Sequence, residues 1–261
     1  MSKLSYTSSG DGVPLVLIHG FCESRKLWAN FSAMLSVKYL VINVDLPGFG
    51  KSPLNVETPS ITSFAEEVND LLVDLKIEKC QMVGHSLGGY VALAFASLYA
   101  NKLIGLGLFH STAFADSEEK KNTRVKAAKF IRENGSSKFV SSLFPGLFSQ
   151  NTREKFKNEI QYFINDAESL DKEVLAKTME AMRDRIDRRD VLKKLDIPVL
   201  YVIGKDDVSV PLNQSLKECH LPKESIVHIL ENVGHMGMIE EKNKTLEILS
   251  QFTNYCINRP E

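Results

Sequence analysis

The chain alternates between short apolar runs and longer segments in which apolar residues recur with helical spacing. Five runs are almost continuously apolar, as strands buried on both faces of a parallel sheet are. They cover residues 14–18, 40–44, 81–83, 103–109 and 198–203. Alternating apolar and polar residues predict two further strands, an edge strand at 4–7 and a last strand at 225–230.

Helical segments separate most of these strands. Apolar residues three and four positions apart predict helices at 27–36, 61–75 and 240–256, and the apolar stretch 90–100 predicts another. Strands that alternate with helices from residue 14 onward predict an α/β fold with a mostly parallel, doubly wound sheet.

The pattern changes near residue 113. From 113 to 189 no apolar strand run occurs, and helical spacing, dense charge and scattered aromatic residues dominate. We therefore predict a helical cap, or lid, at 113–189, inserted into a core formed by residues 1–112 and 190–261. The pairs Asn134-Gly135 and Pro145-Gly146 predict breaks between its helices.

Composition and charge argue against several classes of protein. A hydrophobic content of 43%, a charged content of 25% and a net charge of -1 are ordinary for globular proteins and offer no basic surface for nucleic acid. The four cysteines form no C-x-x-C pair, which disfavours zinc and thioredoxin-type chemistry. The N-terminal residues lack the apolar core of a signal peptide, and no run is long enough to span a bilayer. We therefore expect a cytoplasmic protein without membrane insertion.

Residues 84–88 read Gly-His-Ser-Leu-Gly and lie between a predicted strand and a predicted helix. This pattern is typical of a nucleophile elbow, a strained turn that lifts a serine hydroxyl above the sheet. Gly84 and Gly88 flank Ser86 where a Cβ would collide with neighbouring backbone. We predict that Ser86 is a nucleophile and that the N–H groups after it stabilise an oxyanion.

Three other loops follow strand ends and carry groups that a serine nucleophile needs. They contain His19, the pair Asp206 and Asp207, and His235. Ligands of parallel sheets bind at the carboxyl ends of the strands. Because a serine hydroxyl needs an imidazole to accept its proton and a carboxylate to orient that imidazole, Ser86, Asp207 and His235 form the candidate catalytic set.

In these motifs the sequence resembles the α/β-hydrolases that carry a helical cap, over nearly the whole chain. The matching segments are 19–21, 45–52, 84–89, 204–211 and 234–236, and the order serine, aspartate, histidine is that of the family. The family's Gly-x-x-Asp-x-x-x-Pro pattern implies that Asp207, rather than Asp206, is the acid.

The resemblance also implies roles for residues around this set. The backbone N–H groups of Phe21 and Leu87 would form the oxyanion hole. His110 and Met236 are candidates for lining the pocket. The family's triad needs neither a cofactor nor a metal, so none is expected.

Two further histidines are expected to be structural. His19 would brace the oxyanion loop, and His85 would point away from the exposed face of the serine.

The activity implied is that of a serine hydrolase that cleaves a small, mostly apolar ester or thioester through an acyl-enzyme. C–C bond hydrolases and lactonases share these motifs and remain alternatives, as does a member that binds a signalling ligand and turns over slowly. Dehalogenases and epoxide hydrolases of this fold have an aspartate where Ser86 stands. The expected partner is a small-molecule substrate, and the oligomeric state stays open.

A Gly-Lys-Ser sequence at 50–52 invites comparison with a phosphate-binding loop. That loop needs a glycine at the position of Asp45, whose carboxylate would repel phosphate. We therefore expect a packed turn here.

Overall fold

The computed structural model describes residues 4–259, and its centre is a seven-stranded sheet. In spatial order β1-β3-β2-β4-β5-β6-β7, the strands are β1 Tyr6–Ser9, β2 Pro14–Ile18, β3 Leu40–Val44, β4 Cys80–His85, β5 Leu103–Phe109, β6 Val199–Gly204 and β7 Ser225–Leu230. Edge strand β1 is antiparallel to β3, and all other pairs are parallel. The predicted fold class is confirmed, with the edge strand two residues later than expected.

Helices cover the sheet and fill the stretch between β5 and β6. They are α1 Ala29–Leu35, α2 Ile61–Asp74, α3 Leu87–Tyr99, α4 Glu118–Asn134, α5 Ser136–Leu147, α6 Lys157–Ala167, α7 Lys172–Arg183, α8 Arg189–Lys194, α9 Leu212–Leu216, α10 Gly237–Glu240 and α11 Lys242–Asn258. Strand β4 is buried along its whole length between β2 and β5. Its apolar sequence therefore places the following turn above the middle of the sheet.

Helices α4 to α7 lie in the stretch where the sequence predicts a cap. Gly135, with φ 83°, separates α4 from α5 as expected. Pro145 does not break α5, because a proline close to the end of a helix removes only one late hydrogen bond. Helix α8 starts at Arg189, so it crosses the predicted boundary between residues 189 and 190.

Two predicted helices have different ends in the structure. The segment at 27–36 begins as a 3₁₀ turn, Arg25–Trp28, before α1. The closing helix is interrupted at Glu241, where φ is -130° and ψ is 50°, so α10 and α11 are separate. No helix within residues 4–259 combines the length and the apolar character needed to cross a membrane.

The start of the inserted helices is held by one buried carboxylate. Oε2 of Glu218 accepts hydrogen bonds from the Thr112 hydroxyl and the Ala113 N–H, both at 2.9 Å. The carbonyl of Ala113 accepts from the Arg188 N–H at 2.8 Å, which joins the entry and exit of the insertion. Burial raises the pKa of Glu218 from its ordinary value near 4.5 to about 7.

This pKa predicts a pH-dependent stability. Between about pH 4.5 and pH 7 the folded protein keeps a proton on Glu218 that the unfolded chain releases. The carboxyl therefore contributes stability below this range, and the contribution is lost as the pH rises through about 7. In the wild type we expect the free energy of unfolding to fall by on the order of 3 kcal/mol between these limits. Glu218→Gln should abolish this fall, and urea denaturation across the pH range measures it.

Exposed Glu247 supplies the control for this measurement. Glu247→Gln is expected to keep the wild-type dependence on pH. If Glu218→Gln keeps it too, Glu218 does not hold a proton in the folded state at pH 6.

Candidate active site

Ser86 occupies a sharp turn between β4 and α3. Its backbone has φ 49° and ψ -111°, a strained conformation, and the residue is partly exposed. A Cβ on Gly84 would lie 2.2 Å from the Gly88 carbonyl carbon, and one on Gly88 would lie 2.5 Å from the Ile18 oxygen. Because the turn packs this closely against β2 and α3, only glycine fits at either flank.

Asp207, and not its neighbour Asp206, faces the histidine. Oδ2 of Asp207 accepts a hydrogen bond from Nδ1 of His235 at 2.7 Å, and Oδ1 accepts two backbone N–H groups of its own loop at 2.8 and 2.9 Å. Burial alone would raise the pKa of Asp207, but the interaction with His235 and the neighbouring imidazole holds it well below its ordinary range. Asp206 instead accepts a hydrogen bond from the Ser149 hydroxyl at 2.6 Å.

Ser86 and His235 line the same cavity, which has a volume of about 320 Å³. Asp207 lies behind the histidine and is buried. Within residues 4–259 no hydrogen bond joins Ser86 to His235. Contacts of this kind in hydrolases without substrate are often long and shorten when substrate binds. Ser86 and His235 thus meet at one cavity with Asp207 behind the histidine, and one of the two expected hydrogen bonds is formed.

The two backbone N–H groups predicted to form an oxyanion hole have no partner within residues 4–259. The N–H groups of Phe21 and Leu87 donate no hydrogen bond within the described part of the chain. Phe21 lines the cavity, and Leu87 is the first residue of α3, where the helix dipole is positive. Neighbouring Cys22 is buried, and burial raises the pKa of its thiol well above the ordinary value, so it is a packed thiol.

A buried ion pair that the sequence analysis missed connects three loops of the candidate site. Oε2 of Glu23 accepts from the Gly20 N–H at 2.5 Å and contacts Nδ1 of His85 at 2.9 Å, and Nε2 of His85 donates to the His235 carbonyl at 2.9 Å. Burial opposes both charges, but each group stabilises the other, so the pKa of Glu23 is lowered and that of His85 is raised.

The position of His85 is fixed by two partners. Its ring contacts Glu23 and donates to the His235 carbonyl, so it extends toward the loops after β2 and β7. The residue borders the cavity, but its side chain is only 1% exposed. That His85 points away from the exposed face of the serine stays a prediction.

His110 and Met236 do not line the cavity, contrary to our expectation. Met236 is fully buried, and His110 is enclosed with Nδ1 3.3 Å from Oδ2 of Asp207. Burial lowers the pKa of His110 to about 4, so the ring is neutral at neutral pH. His110 therefore packs behind the catalytic set and supports Asp207.

The same group of residues meets one requirement of a metal site. His110, Asp207 and His235 offer ligand atoms within 4.8 Å of one another. Because Nδ1 of His235 already hydrogen-bonds Asp207, we interpret the group as a histidine oriented by a carboxylate.

The cavity has an apolar wall and a cationic end. The apolar side chains come mainly from the inserted helices: Ala127, Phe139, Leu143, Leu147, Met179 and Met182. The cationic end carries Lys120 and Arg124, one turn apart on α4, with Tyr90 beside them. Lys120 donates to the Ser209 carbonyl at 2.5 Å, and Arg124 is paired with Asp116. Their spacing put both on one helix face, but the sequence did not reveal which way that face points.

His19 joins the loops after β2 and β3. It donates from Nδ1 to the Gly20 carbonyl at 2.7 Å and accepts the Leu46 N–H on Nε2 at 3.0 Å, so it holds the loop that precedes Phe21. The Gly-Lys-Ser turn folds around Asp45, which accepts the Lys51 N–H at 3.0 Å. A carboxylate of the protein thus occupies the place that phosphate would need.

Comparison with known proteins identifies the family. The family model for the α/β hydrolase fold matches residues 13–242. The chain belongs to the α/β-hydrolases. Among solved structures, this α/β-hydrolase is similar to a thermophilic esterase from Thermogutta terrifontis, determined with malate bound. The TM-score is 0.92 and the identity 27%, over 97% of this chain and 93% of the other.

Curated relatives of this α/β-hydrolase have several activities. A 2-hydroxy-6-oxononadienedioate/2-hydroxy-6-oxononatrienedioate hydrolase of Paraburkholderia phymatum is 27% identical, over 96% of this chain and 90% of the relative. A pimeloyl-[acyl-carrier protein] methyl ester esterase of Aeromonas hydrophila is 28% identical, over 96% of this chain and 99% of the relative. The relatives support a hydrolase, and they differ in the bond that is cleaved.

Proposed function

We propose that this α/β-hydrolase is a serine hydrolase that cleaves a small ester or thioester through an acyl-enzyme. The observation that carries the proposal is the 2.7 Å hydrogen bond between Asp207 and His235. His235 lines the same cavity as Ser86. A serine on an elbow and a histidine oriented by a carboxylate are the parts that acyl transfer needs.

The reaction follows from these positions. His235 accepts the proton of the Ser86 hydroxyl as its oxygen attacks the carbonyl carbon. The N–H groups of Phe21 and Leu87 stabilise the resulting oxyanion. His235 then protonates the departing alcohol or thiol, which leaves an acyl group on Ser86. Water, deprotonated by His235, attacks this ester, and His235 then returns the proton to the Ser86 oxygen as the acid is released.

The cationic end of the cavity favours an acyl chain that carries its own carboxylate. Lys120 and Arg124 line the cavity, while the lining residues from α5 and α7 are all apolar. A short chain with an acid at its far end would place the reacting carbonyl at Ser86 and the carboxylate near these cations. The Paraburkholderia relative acts on a dienedioate, and the Thermogutta esterase binds malate, both dicarboxylates. The proposal thus adds a carboxylate at the far end of the small, mostly apolar substrate that the sequence suggested.

A pair of esters of equal length tests this preference. We expect Lys120→Met to lower kcat/KM for mono-p-nitrophenyl glutarate by about 10- to 100-fold, because it removes a charge-assisted hydrogen bond. The neutral p-nitrophenyl pentanoate should change less than about two-fold. Arg124→Met is expected to act in the same direction.

Lys121, the next residue, gives the matched control. Lys121 is paired with Glu118 and does not line the cavity, so Lys121→Met should leave both esters unaffected. Equal loss on both esters in Lys120→Met would contradict a carboxylate-binding role.

A C–C bond hydrolase is the second candidate, favoured by the same cationic end and by the Paraburkholderia relative. Its substrate also carries two carboxylates. Turnover of 2-hydroxy-6-oxononadienedioate with a kcat/KM more than about ten-fold above that for the glutarate ester would select this candidate.

A further inference from the structure

A second recess lies away from the catalytic cavity, between α2 and α7. It has a volume of about 500 Å³ and is lined by residues 57–62, by α7 and by the segment that follows α7. None of the catalytic candidates borders it. We call it the α2–α7 groove.

Arg188 is a buried cation on the wall of this groove. The residue is 5% exposed, and its Nη2 donates to the Thr62 hydroxyl at 3.0 Å. Its Nε is enclosed without a hydrogen-bond partner, and within residues 4–259 no carboxylate pairs with it. Burial, together with the charge of Arg185, lowers the pKa of Arg188, as expected for a guanidinium that lacks an anion.

The N-terminus of α2 faces the same groove. Ile61 and Thr62, the first two residues of this 14-residue helix, have N–H groups that donate no hydrogen bond within the described chain. The Ser60 side chain satisfies only the third N–H of the helix, that of Ser63. The first turn contains no acidic residue. Free N–H groups and the positive end of the dipole therefore remain available to an anion.

The acidic residues along the groove do not neutralise Arg188. Glu180 is held by Arg132 at 2.6 Å, and Asp184 by Arg183 at 2.6 Å. Glu57 is exposed at the rim.

We propose that the α2–α7 groove binds a phosphate group, held by Arg188 and by the N-terminal N–H groups of α2. Phosphate suits these donors because a guanidinium and a helix N-terminus are the groups that commonly bind phosphate oxygens, and here they approach from two elements. The groove has room for a small group attached to the phosphate, so inorganic phosphate and a phosphomonoester are both acceptable sources. Arg188 lies at the exit of the inserted helices, where its N–H donates to the Ala113 carbonyl, and its Nη2 donates to Thr62 of α2. Phosphate bound to Arg188 and to α2 therefore links the inserted helices to the sheet domain.

Thermal unfolding and calorimetry with inorganic phosphate test the site directly, at constant ionic strength set with sodium chloride. We expect phosphate to raise the Tm of the wild-type protein and Arg188→Met to bind phosphate at least about ten-fold more weakly. Arg153→Met carries the same change in net charge on an exposed residue outside the groove and should bind as the wild type does. Glycerol 3-phosphate in place of phosphate distinguishes the sources, since tighter binding identifies a phosphomonoester.

A second variant keeps the test decisive if Arg188→Met does not fold. Thr62→Glu places a carboxylate beside Arg188 in the first turn of α2. We expect it to raise the Tm in phosphate-free buffer and to abolish the shift that phosphate causes. No phosphate-dependent shift in the wild type, or an undiminished shift in either groove variant, would overturn the proposal. Neither readout uses ester hydrolysis, so the result is independent of the proposed function.

Discussion

Replacing Ser86 with alanine is expected to lower kcat for p-nitrophenyl ester hydrolysis by about 10⁴- to 10⁶-fold. Ser86 carries the only hydroxyl among residues 84–88, and the proposed acyl-enzyme forms on it. The fold should remain intact, because the side chain of Ser86 caps no helix N–H group. Steady-state kinetics with circular dichroism as a check on folding would measure both.

Ser209 provides a control from the same cavity. It lines the wall, and its backbone N–H, which donates to Asp207, is kept in Ser209→Ala. This variant should stay within a few-fold of the wild type. A Ser86→Ala enzyme that retains more than about one per cent of kcat would show that another group performs the attack.

Asp207→Asn should lower kcat by about 10⁴-fold, because an amide in this place favours the wrong tautomer of the histidine and stabilises its charged form poorly. Three hydrogen bonds hold the carboxylate in place, one from His235 and two from N–H groups of its own loop, and Nδ1 of His110 lies 3.3 Å away. Its lowered pKa means that it is already ionised at every pH at which the protein would be assayed.

The adjacent residue is a control that differs by one position in the chain. Asp206 hydrogen-bonds Ser149 and not the histidine, so Asp206→Asn should change kcat by only a few-fold. If the Asp206 variant loses more activity than the Asp207 variant, the assignment of the acid is wrong.

The sequence predicts the sheet and its elbow well because local physics decides them. Runs such as residues 103–109 are short and apolar on both faces, as a strand buried between two neighbours is. Gly84 and Gly88 are required because backbone atoms lie within 2.5 Å of any Cβ added there. Both features depend on neighbours in the chain or on steric limits that a residue type reveals.

Features that depend on how distant segments pack were not predictable. Glu23 looks like a loop residue in the sequence, and its pairing with His85, 62 residues away, appears only when the loops after β2 and β4 meet. His110 follows a strand end, as pocket residues do, but its backbone φ of 48° and the contact with Asp207 turn it into the interior.

The cationic end of the cavity is a similar case. Lys120 and Arg124 lie on a helix rich in charge, where most side chains face solvent. Which face of α4 closes the cavity is set by its packing against α7, and this packing leaves no mark in the local sequence. Charged residues of an inserted helix therefore have to be assigned to a site from coordinates.

The most direct measurement of the central claim is intact-mass and peptide mass spectrometry after treatment with a fluorophosphonate. This reagent forms a phosphonyl ester only with a serine that a neighbouring base deprotonates. We predict one adduct per chain, located on Ser86, absent in Ser86→Ala and formed far more slowly in His235→Ala and Asp207→Asn. An adduct on a different residue, or a labelling rate that does not depend on His235, would contradict the account.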